Sequence, residues 1–228
     1  MNIIEHGISL IAPHVCISCG VDGGMLCSAC IDQFYEPLEP RCAGCRKLSS
    51  NFSTCQSCAR WLKAKRVYVA NRYEGIAEVL VHSFKFDMKR SASIPMAQIM
   101  QTTLADYFNQ NDQSNTLLCS IPTAPERIRQ RSFDHAWLLA RELGRHCGLR
   151  PRRLLKRRTN ARQVGSTRHE RIRQMEHEFN VEDADKVVGK TILLVDDVLT
   201  TGSTIAAASK ALKKAGAKEV IASIFAQK

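Results

Sequence analysis

The sequence predicts an α/β domain built on a parallel sheet and preceded by a small metal-stabilised module. Three observations carry that expectation. Four Cys-x2-Cys knuckles crowd between Cys16 and Cys58, and from Val67 the pattern turns to alternating strand and helix periods. The carboxyl-terminal stretch then runs strand, loop, helix, Gly stop, strand, the order of a parallel crossover unit. The division falls after residue 62, leaving 1–62 as the cysteine module and 63–228 as the sheet domain. With 228 residues, 44% hydrophobic and 24% charged, the composition excludes a disordered chain. No run approaches the roughly 18 apolar residues of a membrane-spanning helix, so no membrane partner is expected. The amino terminus, MNIIEHGISLIAPHVC, has no positive stretch and its apolar patch runs straight into a cysteine. It makes a poor export signal, and the expected location is the cytoplasm.

In that compartment ten cysteines read as metal ligands or thiols before disulfides. Cys16, Cys19, Cys27, Cys30, Cys42, Cys45, Cys55 and Cys58 form the four knuckles, and each knuckle lets two sulfurs converge on a tetrahedral ion. Two four-cysteine zinc sites are expected. Sequential pairing makes two small ribbons and cross-bracing would use the same residues in another order; the spacing favours the first. Iron–sulfur and redox chemistry are the other uses of such thiols. Gly20 and Gly44 sit where tight turns are needed. Cys119 and Cys147 lie far from the knuckles and read as buried small apolar residues.

The sheet domain opens with VYVANRY, which alternates as a strand does. GIAEVLVHSFKF follows, with Ile76, Val79, Leu80, Ser83 and Phe84 on one helical face. SIPMAQIMQTTLADYFNQ carries a second helical period, and LLCSIP is a short strand stopped by Pro122. SFDHAWLLARELGRHCG sets Phe133, Trp137, Ala140 and Leu143 or Gly144 on one face, with Gly148 as its stop. TNARQVGSTRHERIRQ is polar and begins with loop formers, the pattern of a mobile excursion. TILLVDDV, TTGST, IAAASKALKKAGA and KEVIASIF then supply the crossover unit.

Net charge is +11, and Glu126 to Arg173 alone holds 15 Lys+Arg against 4 Asp+Glu, the whole of the excess. Such concentration suits a polyanionic partner, either nucleic acid or a small multiply phosphorylated ligand; a solvated basic face is the plainer alternative.

The stretch from Ile192 to Thr204 carries the chemistry. Four apolar residues bring a buried strand to its carboxyl end, where open α/β sheets bind ligands. Asp196 and Asp197 come next, two carboxylates able to meet ligand hydroxyls or hydrated Mg2+. Thr200, Thr201, Gly202, Ser203 and Thr204 offer backbone N–H groups and four hydroxyls at a helix start, an anion cradle. A side chain at 202 is expected to fill that cradle. A plain helix cap needs only one hydroxyl.

This stretch resembles the phosphoribosyl pyrophosphate (PRPP) motif of type I phosphoribosyltransferases. Together with the double knuckle module, RYEGIAEVLVHSFKF, PERIRQRSFDHAWLLARELG and RRTNARQVGSTRHERIRQ, it follows the order of the ComF/GntX family, also called competence protein F, which the chain resembles over nearly its whole length. The resemblance implies a type I phosphoribosyltransferase-like parallel sheet flanked by helices, behind a double zinc ribbon. It implies PRPP and Mg2+ as ligands, with Asp196 and Asp197 as the catalytic pair at the ribose and Thr200 to Thr204 on the 5-phosphate. Pro122 and Thr123 fall in the pyrophosphate loop, Arg131 matches a ligand-binding position, and Gln163, Arg168 and Arg171 mark the mobile loop. Where the family reads Arg-Gly-Phe-Asn-Gln this chain has Arg131, Ser132, Phe133, Asp134 and His135, which puts substrate contacts from that stretch in doubt. Lys85 also matches, although a lysine at a helix end commonly serves the helix dipole.

The implied role is cytoplasmic handling of single-stranded DNA in natural transformation. As an enzyme, the protein would displace pyrophosphate from C1 of PRPP with a nitrogen nucleophile. No base-recognition signature names that acceptor. The competing classes are a single-stranded DNA binder that keeps PRPP as a ligand, and a zinc-ribbon adaptor that docks on a helicase or another DNA-uptake protein.

Overall fold

Ile192, Leu193, Leu194 and Val195 form an unbroken apolar run, which a strand tolerates only where both of its faces are covered. The computed structural model, which describes residues 15–158 and 178–228, provides that cover. In chain order its elements are α1 (Ser28–Phe34), α2 (Gln56–Leu62), β1 (Arg66–Arg72), α3 (Gly75–Lys85), α4 (Ser93–Gln110), β2 (Thr116–Ser120), α5 (Pro125–Arg131) and α6 (His135–Cys147). They are followed by β3 (Pro151–Arg152), β4 (Leu155–Arg157), β5 (Phe179–Val181), β6 (Thr191–Leu199), α7 (Ser203–Lys214) and β7 (Glu219–Gln227). Five strands make one parallel sheet in the order β1-β7-β6-β2-β3. The crossover expected at the carboxyl end is β6-α7-β7, with Thr191 opposite Glu219 and Leu199 opposite Gln227. β4 and β5 form a separate antiparallel pair.

Successive residues of β6 face opposite sides of the sheet, so the apolar run feeds two cores. Leu193 and Val195 join Leu80, Phe84, Met96, Met100, Leu139 and Leu143 on one face. Ile192 and Leu194 join Leu62, Val67, Ile205, Leu212 and Val220 on the other. The cysteine module straddles the sheet. Met25, Leu26 and Ile31 of its first half and Phe52 of its second enter the first core, while Ala43 and Leu62 of the second half enter the other.

Two helical faces differ from expectation. On α3 the buried stripe is Ala77, Leu80, Val81, Ser83 and Phe84, and Val79 is 47% exposed. On α6 Asp134 caps the helix by accepting from Trp137 N–H, which turns the buried stripe to Ala136, Leu139, Ala140 and Leu143. Trp137 instead lies under the Arg153 guanidinium, 4.2 Å from its ring centre. Cys119 is buried as expected, and Cys147 is half-buried against the first core. The segment expected to be mobile falls outside the described residues, along with Gln163, Arg168 and Arg171.

Candidate functional site

The eight knuckle cysteines assemble sequentially, Cys16, Cys19, Cys27 and Cys30 in one group and Cys42, Cys45, Cys55 and Cys58 in the other. A tetrahedral zinc ion with metal–sulfur distances of about 2.3 Å spaces its sulfurs about 3.8 Å apart. Cys19 and Cys27 are 3.7 Å apart, as are Cys42 and Cys55, and Cys45 and Cys55, so both groups fit such an ion. The local design repeats. One knuckle is flanked by a short bridge, Val15 with Asp22 or Arg41 with Leu48. The third cysteine then caps a seven-residue helix that carries the fourth. Backbone N–H groups aimed at sulfur hold Cys16 down at about 6 and the Ser57 hydroxyl does the same for Cys55, while burial and the neighbouring sulfurs push Cys30 and Cys58 up to about 12. Gly44 lies in the turn expected of it, residues 43–45, closed by Arg46 N–H donating to Cys42 O at 2.7 Å. A Cβ there would come within 2.7 Å of Cys58 Sγ, so the glycine leaves room for the closing helix.

The second candidate site is the carboxyl end of β6. The strand continues through both acids to Leu199, so Asp196 and Asp197 face opposite sides. Asp197, 3% exposed, meets α3 and α6: Lys85 Nζ is 2.7 Å from its Oδ1 and His135 Nε2 is 3.2 Å from its Oδ2. Burial works to raise its carboxyl, but His135 and the Lys85 ammonium outweigh it and hold it well below the usual range. Asp196 is half-buried beside Thr200, Gly202, Ser203 and Thr204, with which it lines a small cleft. Burial and the neighbouring Asp197 charge push its carboxyl up to about 7. A cation beside this carboxylate would offset that cost.

Thr200 and Thr201 are exposed, and Gly202 caps α7 at φ +76°. Thr201 Oγ1 and Ser203 Oγ share a hydrogen bond of 2.9 Å, which leaves the hydroxyls together at the helix start. A Cβ on Gly202 would meet Trp61 at 3.3 Å. The space beside that glycine therefore belongs to α2 and not to the cradle, which corrects the expectation that a side chain at 202 fills it.

The remaining described candidates converge on His135. Arg131, buried, places Nη1 2.9 Å from His135 Nδ1. Thr123 donates its hydroxyl to Asp134 at 3.0 Å and lies 3.5 Å from His135 Nδ1. Pro122 O accepts from Arg157, which also pairs with Glu178. Thr123, Arg131 and Asp197 are thus linked around one imidazole, with Thr200 to Thr204 following Asp197 along the chain. The doubtful Asp134 and His135 prove to be supports: Asp134 accepts from Thr123 and Trp137 and pairs with Arg153. An Asp directly before a helix is a capping signal and could have been read as such. Lys85 does more than serve a helix end, and no spacing in the sequence announces its pairing with Asp197.

Residues 128–228 match the phosphoribosyl transferase domain. Competence protein ComFC of Streptococcus pneumoniae is 28% identical over 203 residues, spanning 87% of this chain and 86% of that protein. Competence protein F of Haemophilus influenzae is 24% identical over 214 residues, 85% and 93% of the two chains. DNA utilization protein YhgH of Escherichia coli O157:H7 is 26% identical over 159 residues, 68% and 69%.

Proposed function

Starting from a ComF/GntX-type chain, two four-cysteine ribbons joined to a phosphoribosyl transferase domain, we propose that it binds PRPP with Mg2+ at the Asp196 to Thr204 stretch and serves the handling of single-stranded DNA taken up in natural transformation. One observation carries the PRPP reading. Within nine residues a half-buried carboxylate with a raised pKa is followed by a Gly-capped helix start bearing clustered hydroxyls. A phosphorylated sugar has the complementary parts, hydroxyls for Asp196 and a phosphate for the N–H groups of residues 202–204. Mg2+, bound with PRPP at Asp196, would supply charge neutralisation to the pyrophosphate.

In this reading Asp197 is the fixed support. Paired to Lys85 and His135, it anchors the end of β6 to α3 and α6, while Asp196 meets the ligand. As an enzyme the protein would break the C1–O bond to pyrophosphate and form a C1–N bond, the acceptor nitrogen losing its proton to solvent or a base. Arg131 and Arg157 stand on the side of the pyrophosphate loop. The DNA role rests on the names of the competence and DNA utilization relatives and on the basic segment, in which Arg150, Arg152 and Arg158 are exposed. The adaptor and pure binding readings part from the enzyme in one assay, pyrophosphate release from PRPP with and without single-stranded DNA.

Calorimetric titration of PRPP with Mg2+ into the wild type and Asp196→Asn tests the site. The isosteric variant spares the buried Asp197 pair, and at least tenfold weaker binding is expected. Equal affinity in the two proteins would remove Asp196 from the site.

A further inference from the structure

The second four-cysteine group reaches the phosphate loop through the end of α2, where Trp61 makes the nearest approach. A Cβ on Gly44, inside the Cys42–Cys45 knuckle, would lie 2.9 Å from Trp61 Cζ2. A Cβ on Gly202, at the start of α7, would lie 3.3 Å from Trp61 Cη2 and 3.6 Å from Leu62 Cδ1. One indole is therefore packed between the metal knuckle and the phosphate loop, and both backbones that meet it are glycine. Trp61 is nevertheless 42% exposed, so the core alone does not fix it.

The helix that carries this indole depends on the metal. α2 has seven residues, too few to be stable alone. Cys55 caps it and Cys58 lies within it, so an ion bound there fixes its amino end, while Leu62, fully buried, pins the other end beside Ile205 of α7. Release of the ion frees one end of α2 and with it the surface on which Gly202 rests. Gly202 is already in a left-handed conformation at φ +76°, so a small backbone change there redirects the N–H groups of the cradle.

We propose that Trp61 is a positioning residue through which the metal state of the second cluster sets the anion affinity of the Thr200 to Thr204 loop. That the anion is PRPP rests on the function proposed above; the packing of Trp61 against Gly202 does not. Coupling of this kind is reciprocal, so a bound phosphate raises the metal affinity of the second cluster by the same factor that metal raises phosphate affinity, roughly 5- to 150-fold for ordinary couplings between sites. The first cluster, built into the opposite core, has no equivalent contact with Gly202 among its nearest neighbours.

The test is amide hydrogen exchange at residues 200–204 in the full chain, which needs no ligand. Cys45→Ser should accelerate exchange there at least fivefold more than Cys19→Ser does. Trp61→Leu, with both zinc ions retained by elemental analysis, should reproduce most of that acceleration, and Cys45→Ser should add little on top of it. PRPP affinity should fall in the same order. Equal acceleration by the two cysteine variants, or unchanged exchange in Trp61→Leu, would overturn the coupling, and the second result stands even if Cys45→Ser folds poorly. A wild type that does not bind PRPP would remove the phosphoribosyl reading, while the exchange data would still decide the coupling.

Discussion

The two metal ribbons are built alike and do different things. Each sets a knuckle beside a short bridge, points a backbone N–H from its third cysteine at the sulfur of its first, and closes with a seven-residue helix. Yet the first enters the core beside α4, where Tyr35 shares a hydrogen bond with Thr103, and the second lies against α7 and the phosphate loop. The residues between and after the cysteines account for the difference. Three positions beyond the fourth cysteine the first ribbon has Gln33 and the second Trp61; one position further, Phe34 is half exposed and Leu62 is fully buried. A repeated ligand pattern specifies the metal, and the residues around it specify the neighbour.

Metal removal should produce the largest effect. Zinc binding in small structural sites is worth about 10–16 kcal/mol at neutral pH, and a segment as short as Cys16 to Cys58 has little core of its own. Elemental analysis should find two zinc ions per chain, and Cys27→Ser should leave one, with the second ribbon intact. Loss of both from that variant would mean that the ribbons do not fold independently.

Gly202→Val should come next. The substitution combines a left-handed φ, a strain of about 1–3 kcal/mol, with the Trp61 clash. A loop that relieves this strain turns its N–H groups away from the phosphate, and PRPP should bind at least fivefold more weakly by calorimetry. If the cost comes from the indole as well as the backbone, Trp61→Ala should restore part of the affinity. No recovery would assign the whole effect to φ.

A smaller effect separates the two acids. Asp196, raised to about 7, binds its proton more tightly in the folded state, so it costs stability increasingly as pH rises from the ordinary carboxyl range to about 7. Asp197, lowered, contributes the opposite sign: its stabilisation is complete above the ordinary range and is lost as pH falls through its folded value. The Tm difference between Asp196→Asn and wild type should therefore grow in favour of the variant up to about pH 7 and level off. A flat difference would mean that Asp196 is not raised.

The basic segment should give the smallest change per residue. Arg152 and Arg158 are exposed, whereas Arg157 holds Pro122 and Glu178 and belongs to the fold. Replacing the exposed pair with Ser should lower the log–log salt slope for single-stranded oligonucleotides by about 0.7 for each phosphate that is no longer neutralised. Fluorescence anisotropy across salt reads that slope, and an unchanged one would place any DNA surface elsewhere.

Much of this was legible in the chain. Cysteine spacing marks both metal groups because four knuckles so close together can converge on two tetrahedral ions, and the apolar run from Ile192 to Val195 marks the central strand, although not its continuation through both acids to Leu199. The partners of Asp197 are not legible, because Lys85 and His135 arrive from helices far away along the chain and meet only through the sheet. The same holds for Trp61. Its aromatic ring reads as core or as a stacking surface, and only the approach of α2 to α7 shows that it bridges knuckle and loop.

The most direct measurement is a crystal structure of the zinc-loaded protein with PRPP and Mg2+. The expected result is the 5-phosphate on the backbone N–H groups of residues 202–204, with Asp196 at the ribose or its metal and Asp197 still paired with Lys85. PRPP bound away from β6, or a loop from Thr200 to Thr204 that leaves the phosphate untouched, would contradict the phosphoribosyl site.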